Sequence, residues 1–333
     1  MKLFIFGSTG DLVKRKVIPA LNYVNGKDLE VYALGRRELR HEDYQDYVCE
    51  GICKKDFKQK IRYLLLNYNL DNFCDSCLNF LDKKEINYFY IAFPPKLYKK
   101  TLISLGKIKK SGFKIKILIE KPFGKNLENA KELIKIIREF NLKKDLFLSD
   151  HYLFKENVLN LKKQNFNSTK IISTEKIGLE GRDKFYEDVG VLKDMVQSHL
   201  LNILFKFIKN KKRLKKAEIE KFILARCEES DKNSKTPTFV YLKFKIKKES
   251  IILVSGKFMD KKETTVYIDD KKIEMGELNP YIILFENFFE GEKKNFPTIK
   301  NAIFAWEIIE DLEKKKPEII YYKKGSKVEN ILK

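Results

Sequence analysis

The fold is decided by the opening stretch KLFIFGSTGDL (2–12), in which an apolar run passes through two glycines into a helix. Residues 2–6 predict a buried strand, and the helix that follows runs to about residue 23. Glycines behind a first strand let the backbone approach a pyrophosphate, whose negative charge the helix N-terminus favours. Gly7-Ser8-Thr9-Gly10 is shorter than the full G-x-G-x-x-G fingerprint, so a plain turn is the alternative interpretation.

The first half of the chain repeats this alternation of strand and helix. Further strands are predicted at 30–34, 88–92, 115–119 and 146–149, and helices at 42–49, 54–68, 96–110 and 127–140. Strands that alternate with helices of this length predict a parallel, doubly wound sheet. We therefore expect an α/β Rossmann dinucleotide-binding domain over residues 1–150.

The second half has a different pattern. Strands are predicted at 169–177, 221–227, 238–246, 251–256 and 264–268, and helices near 155–164, 189–209, 279–290 and 298–314. The alternation in FVYLKFKI (239–246) is typical of an antiparallel strand with one face in water. Residues 151–333 therefore predict an α+β substrate-binding domain, with the catalytic site at its interface with the first.

Composition excludes several classes of protein. The chain has 333 residues, of which 43% are hydrophobic, and no apolar run approaches the roughly 18 residues of a membrane span. The N-terminus enters a strand directly and has no signal-peptide pattern, so we expect a cytoplasmic protein without a membrane partner. The net charge is +21, but lysines far outnumber arginines and are spread along the chain. This indicates a lysine-rich surface rather than nucleic-acid binding, although it attracts anionic substrates.

The five cysteines predict neither a metal site nor a disulfide framework. Their odd number, without a secretion signal, favours reduced thiols. Cys74 and Cys77 have Cys-x-x-Cys spacing, but a zinc site needs four ligands. Cys49 and Cys53 are spaced differently, so we expect ordinary cysteines and no metal.

Polar residues collect where predicted strands end, at the sheet edge that binds ligands in α/β proteins. Asp150, His151, Tyr152 and Lys155 follow the strand at 146–149. Arg36, with Arg37 beside it, ends the second strand, where a basic residue favours the 2′-phosphate of NADP over NAD. Two surface arginines are the alternative.

Two further residues are candidates for the chemistry. Lys121 precedes Pro122, which holds it in an extended or turn geometry directed at the crevice; a cis bond is possible, and a merely exposed lysine is the alternative. His199 lies in an apolar helix, where a histidine is more often structural. Oriented by a carboxylate such as Asp150, its neutral imidazole can take a proton from a hydroxyl as hydride leaves the same carbon.

Together these segments resemble the glucose-6-phosphate 1-dehydrogenase family. The matching segments occur in family order: GSTGDLVKRKVIPAL (7–21), FYIAFPPKLY (89–98), IEKPFG (119–124), DHYLFKENVLN (150–160), EGR (180–182), DMVQSHLL (194–201), SGK (255–257), NAIFAWEII (301–309) and YYKKGS (321–326). The most specific of them is the segment at 150–160. The resemblance implies oxidation of glucose 6-phosphate to 6-phosphogluconolactone with reduction of NADP.

The resemblance also implies roles for individual residues. His199 resembles the general base that deprotonates the C1 hydroxyl, and Asp150 resembles its carboxylate partner. The remaining residues are implied as ligands of substrate or cofactor: His151, Tyr152 and Lys155 for the phosphate; Lys121 for both substrate and nicotinamide; Glu175 and Asp194 for sugar hydroxyls; Lys257 and Lys262 for the substrate; Gly7, Ser8, Thr9, Gly10, Asp11, Leu12, Lys14, Arg36 and Tyr98 for NADP.

The sequence departs from the family pattern in three respects. Phe154 stands where the family signature has glycine, which adds bulk beside the phosphate site, and Ser198 replaces the usual asparagine before the base. The chain is also much shorter, with material missing between His199 and Lys257 and between Ile268 and Asn279. We therefore expect a reduced antiparallel sheet, no structural NADP site and a doubtful homodimer.

Two other functions are compatible with these residues. One is a related NAD(P)-dependent dehydrogenase of another sugar or sugar phosphate, because Glu-Lys-Pro also occurs in such enzymes. The other is a catalytically degenerate, basic binding protein that keeps the fold.

Overall fold

The protein is described by a computed structural model that covers residues 1–24, 28–66, 75–181, 183–230 and 234–333. The chain divides into two compact units, Met1–Phe154 with Asn279–Ile299 and Lys155–Leu278 with Lys300–Lys333. The sequence predicts a single boundary near residue 150, whereas the chain also returns to the first unit at residue 279. An apolar helix face does not specify which sheet it covers, so periodicity alone misses this return. Cys74 and Arg182 lie outside the described residues.

The first unit contains a parallel sheet. Its strands are β1 (Lys2–Phe6), β2 (Glu30–Gly35), β3 (Ile61–Leu65), β4 (Asn87–Ile91), β5 (Ile115–Ile119) and β6 (Leu146–Leu148). They are ordered β3-β2-β1-β4-β5-β6, and each neighbouring pair is parallel. The predicted Rossmann-type sheet is confirmed.

Central strand β1 is buried on both faces, as expected for a parallel sheet covered by helices. Phe4 is in register with Tyr32 on β2 and with Phe89 on β4. Its ring stacks on both neighbours, with centroid separations of 4.9 Å and 5.1 Å. Each such aromatic pair contributes about 0.5–1.5 kcal/mol beyond its burial. This row of rings fixes the centre of the sheet, from which the glycine loop leaves.

One predicted helix of the first half was wrong. The sequence predicts a helix over 54–68, but the chain forms a short helix at Lys55–Gln59 and then strand β3. Strand β3 pairs with β2 from Val31↔Ile61 to Gly35↔Leu65. The free edge of β2 supplies hydrogen bonds that a local pattern cannot reveal, and tertiary pairing overrides weak helix propensity here.

The helices connect these strands and continue through the second unit. The α-helices are α1 (Ile18–Leu21), α2 (His41–Cys49), α3 (Lys55–Gln59), α4 (Asp75–Leu78), α5 (Tyr98–Lys110), α6 (Leu127–Glu139), α7 (Glu156–Leu159), α8 (Asp183–Val191), α9 (Leu201–Phe207), α10 (Pro280–Glu290), α11 (Ile299–Glu313) and α12 (Val328–Ile331). Two segments are π-helical, Val13–Val17 and Leu192–Leu200. Short 3₁₀ turns are Pro95–Leu97, Leu142–Lys144, His151–Phe154 and Lys211–Lys216.

The second unit contains a seven-stranded sheet. Its strands are β7 (Ser168–Thr174), β8 (Glu218–Cys227), β9 (Phe239–Ile246), β10 (Glu249–Gly256), β11 (Glu263–Ile268), β12 (Lys271–Glu274) and β13 (Ile319–Tyr322). The order is β12-β11-β7-β10-β9-β8-β13. The sequence predicts an antiparallel sheet, but the pairs β7–β10 and β8–β13 are parallel, so the sheet is mixed. The α+β class is confirmed, and strands β12 and β13 were missed because both are short.

Helix α10 belongs to the first unit although it comes late in the chain. The Asn279 side chain accepts a hydrogen bond from the Tyr281 amide and donates one to the Lys16 carbonyl. This cap, with Pro280 in the first turn, fixes where the helix begins. Along α10, the Tyr88 hydroxyl donates to the Phe289 carbonyl at 3.0 Å. The helix therefore covers β4 of the first sheet.

Phe154, which departs from the family pattern, is part of this core. Its side chain is 0% exposed and its ring meets the edge of Phe296 with a centroid separation of 4.7 Å. Phe296 in turn contacts Phe147 on β6 at 5.0 Å. The added bulk thus fills space between β6 and the returning segment 279–299.

Within the described ranges, no helix combines the length and apolarity that crossing a bilayer requires.

Replacing Phe154 with alanine should lower the free energy of unfolding of the first unit by about 3–5 kcal/mol, because a buried ring leaves a cavity that cannot fully collapse. Urea unfolding of the two proteins measures the difference. Tyr321→Ala is the control: that ring is 61% exposed, and its loss should change stability by less than about 0.5 kcal/mol. Equal losses in the two variants would contradict the packing role of Phe154.

Candidate functional site

The glycine loop at the end of β1 requires glycine at its first position. Gly7 has φ +83°, and a Cβ there would lie 2.8 Å from the Ala92 carbonyl oxygen. The amides of Gly7 and Ser8 both donate to the Leu34 carbonyl, at 3.0 Å and 3.1 Å. The loop therefore crosses between β2 and β4 in a conformation that residues with a Cβ rarely adopt. Thr9 and Gly10 follow, and Gly10 is exposed.

Helix α2 supports the same loop through two tyrosines. The Tyr44 hydroxyl donates to the Ser8 carbonyl at 3.1 Å, and the Tyr47 hydroxyl to the Thr9 carbonyl at 3.3 Å. Lys14 pairs with Glu50 at the end of α2 and lies 4.4 Å from the centre of the Tyr47 ring. Because these carbonyls are already bonded, the loop is held in one conformation before any ligand binds.

The loop and its surroundings suit a dinucleotide phosphate. The hydroxyl oxygen of Ser8 is buried and has no hydrogen-bond partner within the described part of the chain. A glycine loop at a helix N-terminus is a typical phosphate-binding arrangement, and the Ser8 hydroxyl can supply one further hydrogen bond. Asp11 and Leu12 begin the helix behind it, where Asp11 pairs with Arg15 at 2.8 Å.

The basic end of β2 is open to solvent. Arg36 and Arg37 are both exposed. The Arg37 carbonyl accepts a hydrogen bond from the Tyr63 hydroxyl at 2.6 Å, and its guanidinium carbon lies 5.9 Å from the Tyr47 ring centre. The backbone of this arginine pair is thus anchored to β3, which the sequence did not predict.

Tyr98 does not lie open to a cofactor. Its side chain is 0% exposed, and its hydroxyl donates to the Glu120 carbonyl at 2.7 Å. Its role in this structure is to tie α5 to the end of β5.

Glu120, at the end of β5, is the centre of a buried polar network. It is 5% exposed, and its Oε1 accepts hydrogen bonds from three hydroxyls: Tyr90 at 2.6 Å, Ser149 at 2.8 Å and Tyr281 at 3.2 Å. Its Oε2 accepts the Lys121 amide at 3.2 Å. One carboxylate thus joins β4, β5, the end of β6 and helix α10.

Burial controls the protonation of this network. Desolvation raises the pKa of Glu120, although the hydrogen bonds from Tyr90 and Ser149 act in the opposite direction. The pKa values of Tyr90 and Tyr281 lie well above the usual tyrosine range, first because both are buried and then because of the nearby Glu120 charge. Both phenols therefore remain donors at neutral pH.

Lys121 and the residues after β6 lie around this network. The Lys121–Pro122 peptide is cis. His151 stacks on Tyr281 with ring centres 5.3 Å apart, and its Nδ1 lies 3.4 Å from the Tyr281 hydroxyl. Asp150 is 1% exposed, and its Oδ1 accepts the Tyr152 amide at 3.1 Å. The first unit thus brings together Lys121, Asp150, His151 and Tyr152.

The second unit holds the other predicted residues, beginning with Lys155. Its ammonium donates to the Gly276 carbonyl at 3.3 Å. Lys262 is exposed in the turn before β11. These two lysines are not joined to each other by any contact that the structure describes.

Glu175 and Lys257 meet because their strands are parallel neighbours. Strand β7 ends at Thr174 and β10 at Gly256, which are in register, so the next residue of each leaves the sheet at the same edge. The Lys257 ammonium contacts Glu175 Oε2 at 2.5 Å, with the lysine side chain only 9% exposed. The Tyr322 hydroxyl donates to the Lys257 carbonyl at 2.7 Å. Sequence alone predicts the two residues but not their pairing.

Asp194 and His199 lie five residues apart in the π-helix Leu192–Leu200. In an α-helix this spacing would separate the two side chains by about 140° around the axis. A π-helix bonds residues five apart, so it places them on nearly the same side. His199 is 1% exposed, and Gly190, with φ 60°, breaks the helix before this segment. Sequence periodicity predicts one continuous helix and misses this change.

Cysteines and metal ligands complete the description. Cys49 and Cys53 form a disulfide, so the prediction of reduced thiols was wrong for this pair: their Cα atoms lie only 5.1 Å apart. Cys77 and Cys227 are buried, and the Cys227 thiol donates to Glu229 Oε2 at 3.2 Å. Among the described residues, no group of three or more histidine, cysteine or acidic side chains is arranged to hold a metal.

Tyr90, Ser149 and Tyr281, the hydroxyl donors to Glu120, are the members of this network that sequence reasoning missed. Tyr281 carried no signal, because its helix was assigned to the other domain. Ser149 is the last residue of the predicted strand at 146–149, next to the candidate residue Asp150, and that position was the clue to it.

Comparison with known proteins identifies the family. The sequence profile described as "Glucose-6-phosphate dehydrogenase, NAD binding domain" matches residues 4–160, and "Glucose-6-phosphate dehydrogenase, C-terminal domain" matches residues 153–224. The chain belongs to the glucose-6-phosphate dehydrogenase family. Its first sheet is therefore that of the family's dinucleotide-binding domain.

Sequence relatives agree with this assignment, and solved structures share the fold. Glucose-6-phosphate 1-dehydrogenase of Buchnera aphidicola (subspecies Schizaphis graminum) is 34% identical over 236 residues, which are 61% of this chain and 48% of that protein. The chain thus spans about half the length of the curated relatives it matches. The structure of the Mycobacterium avium glucose-6-phosphate 1-dehydrogenase has a TM-score of 0.82 at 20% identity, over 98% of this chain and 94% of that one. A glucose-6-phosphate dehydrogenase in complex with glucose 6-phosphate has a TM-score of 0.80 at 20% identity, with the same coverage.

For this glucose-6-phosphate dehydrogenase family member, the raised pKa of Glu120 predicts a pH dependence of stability. The folded protein binds the Glu120 proton more tightly than the unfolded chain does. The free energy of unfolding therefore falls as the pH rises from the pKa of Glu120 in the unfolded chain through its pKa in the folded protein. Glu120→Gln should remove this contribution. The free energy of unfolding of the variant should therefore increase relative to that of the wild type as the pH rises from 4.5 to neutral. Urea unfolding over that range measures the difference. Parallel pH profiles would contradict it.

Proposed function

We propose that the protein oxidises D-glucose 6-phosphate to 6-phospho-D-glucono-1,5-lactone with reduction of NADP. The observation that carries the proposal is the second unit's set of polar side chains: a buried histidine and an acid on one side of a π-helix, and a carboxylate–ammonium pair at a sheet edge. These are the groups that a proton abstraction from a sugar hydroxyl needs. The family assignment supports the same reaction, and one structural neighbour is a complex with glucose 6-phosphate.

In this proposal, proton transfer falls to His199. Its imidazole takes the proton of the C1 hydroxyl, and Asp150 is its carboxylate partner, which stabilises the imidazolium. A positioned base of this kind contributes about 10²–10⁴-fold in rate.

The sugar phosphate is recognised at its two ends. His151, Tyr152 and Lys155 hold the phosphate dianion, for which one ammonium and two further donors are suited. Glu175 and Asp194 accept hydrogen bonds from sugar hydroxyls, since carboxylates are acceptors only. Lys257 and Lys262 complete the substrate site. The Lys257–Glu175 pair keeps both charges compensated when no sugar is bound.

The cofactor is held by the first unit. The loop Gly7 to Leu12 and Lys14 bind its phosphates, Arg36 binds its 2′-phosphate, and Lys121 binds both the nicotinamide and the substrate. When bound, NADP accepts the hydride that leaves C1. Every other role belongs to residues of this chain.

A steady-state assay tests the function directly, with glucose 6-phosphate and either NADP or NAD, followed by absorbance of the reduced cofactor. Turnover with NADP supports the proposal. Activity that persists with sugars lacking the phosphate would favour a different sugar dehydrogenase, because the phosphate site would then be unused. If the folded protein reduces neither cofactor with any of the sugars, a binding protein is indicated.

His199→Asn should lower kcat by about 10²–10⁴-fold, because asparagine cannot accept the proton. The dissociation constant for glucose 6-phosphate, from calorimetric titration, should change by less than about threefold, since the phosphate contacts stay intact. Thermal unfolding of the variant verifies that the buried site still folds. A kcat within tenfold of the wild type would show that another residue is the base.

Arg36→Ala should raise the KM for NADP by about 10–100-fold, because a charge-assisted hydrogen bond to phosphate contributes about 1.5–3 kcal/mol. The kcat/KM for NAD should change by less than about twofold. Arg62→Ala is the matched control, since Arg62 is an exposed arginine of the same unit on β3. A loss that is equal for NADP and NAD would remove Arg36 from 2′-phosphate recognition.

A further inference from the structure

Tyr186, on helix α8, carries a buried hydroxyl that the proposed mechanism does not use. The residue is 3% exposed, and its phenolic oxygen has no hydrogen-bond partner within the ranges that the structure describes. Native proteins leave few buried polar atoms unpaired, because a lost hydrogen bond is not repaid by water, and each such atom calls for an explanation.

The position of Tyr186 supplies one. It lines a narrow gap of the second unit, too small to hold a water molecule, together with Glu175 and Lys257, and Met195 and Ser255 form further walls. Glu175 and Lys257 are the ion pair at the shared edge of β7 and β10. The unpaired hydroxyl therefore lies beside two of the residues to which sugar binding is assigned.

The charges around the phenol fix its protonation state. Burial raises the pKa of Tyr186 well above the usual tyrosine range, and the negative charges of Asp194 and Glu175 raise it further. The hydroxyl is therefore neutral at physiological pH and keeps its proton to donate.

The side chains around Tyr186 include two acids, Glu175 and Asp194, and the Lys257 ammonium that lines the same gap is already paired with Glu175. Each sugar hydroxyl donates one hydrogen bond and also accepts through its oxygen. Glu175 and Asp194 can accept the hydrogen bond that a sugar hydroxyl donates, but they cannot donate one to its oxygen. We infer that Tyr186 is a further substrate-binding residue, whose phenol donates to the oxygen of a ring hydroxyl of a hexose phosphate while a neighbouring carboxylate accepts that hydroxyl's proton.

This assignment deepens the proposed function and rests on it. A site built to hydrogen-bond a hydroxyl discriminates against sugars that lack it, because a buried donor is then left unpaired. Tyr186 thus contributes to the choice of sugar and takes no part in proton transfer from C1.

The test compares wild type with Tyr186→Phe, which removes one oxygen and keeps the ring. With glucose 6-phosphate, kcat/KM should fall by about 3–10-fold, the value of a neutral hydrogen bond. With 2-deoxy-, 3-deoxy- and 4-deoxyglucose 6-phosphate, the loss should persist for two of the sugars and vanish for the one that lacks the partner hydroxyl. The melting temperature of the free protein should be unchanged or higher, because an unpaired buried hydroxyl is removed.

Tyr241→Phe is the matched control, because Tyr241 is a tyrosine of the same unit that is 9% exposed, and the same oxygen is lost. It should leave kcat/KM for all four sugars unchanged. A Tyr186→Phe variant with full activity toward glucose 6-phosphate would overturn the inference. An equal loss for every sugar would also overturn it, since it would indicate a packing role.

Failure of the proposed function has a different signature. If wild-type protein does not oxidise glucose 6-phosphate, the function is wrong, and calorimetric binding of the same four sugar phosphates to wild type and Tyr186→Phe decides the inference. Binding that weakens only for sugars with the partner hydroxyl supports Tyr186 as a ligand. Binding that is equal in the two proteins, or absent from both, overturns it.

Discussion

The first unit depends on a single buried carboxylate. Glu120 receives three hydroxyl groups and one amide, from β4, the end of β6, helix α10 and its own strand end. An unpaired carboxylate at this depth would be strongly unfavourable, whereas one with four donors defines a unique arrangement of the elements that supply them. The residue after it, Lys121, and the residue that stacks on Tyr281, His151, are both proposed ligands of the substrate. The arrangement of these two proposed ligands in the first unit is therefore set by a structural network.

In the second unit, backbone geometry sets the arrangement of the proposed substrate ligands. Parallel pairing of β7 with β10 brings Glu175 and Lys257 out at one edge, although they are far apart in sequence. The π-helix changes the angular spacing of Asp194 and His199, so that these two residues lie on nearly the same side. π-helical segments are rare and frequently occur at functional sites, which agrees with the roles proposed for Asp194 and His199.

Much of the fold followed from sequence because it rests on local patterns. The parallel strands β1, β2, β4 and β5 were predicted from apolar runs and turn glycines, and the family from short motifs at strand ends. What was missed depends on contacts that form only in the folded chain. Strand β3 forms because β2 offers an open edge, the disulfide because a turn brings Cys49 and Cys53 together, and α10 joins the first unit through Tyr281 and Phe289. No pattern at those positions records the partner.

Phe154 shows how a departure from a family pattern is to be interpreted. At sequence level it is a bulky residue where the signature has glycine, and it suggests interference with phosphate binding. In the fold its ring is fully buried against Phe296, which lies in the segment that returns to the first unit. Phe296 also packs on Phe147, which precedes Ser149 by two residues. Phe154 therefore packs the returning segment against β6. The same contacts stabilise the end of that strand, which is followed by Asp150 and His151.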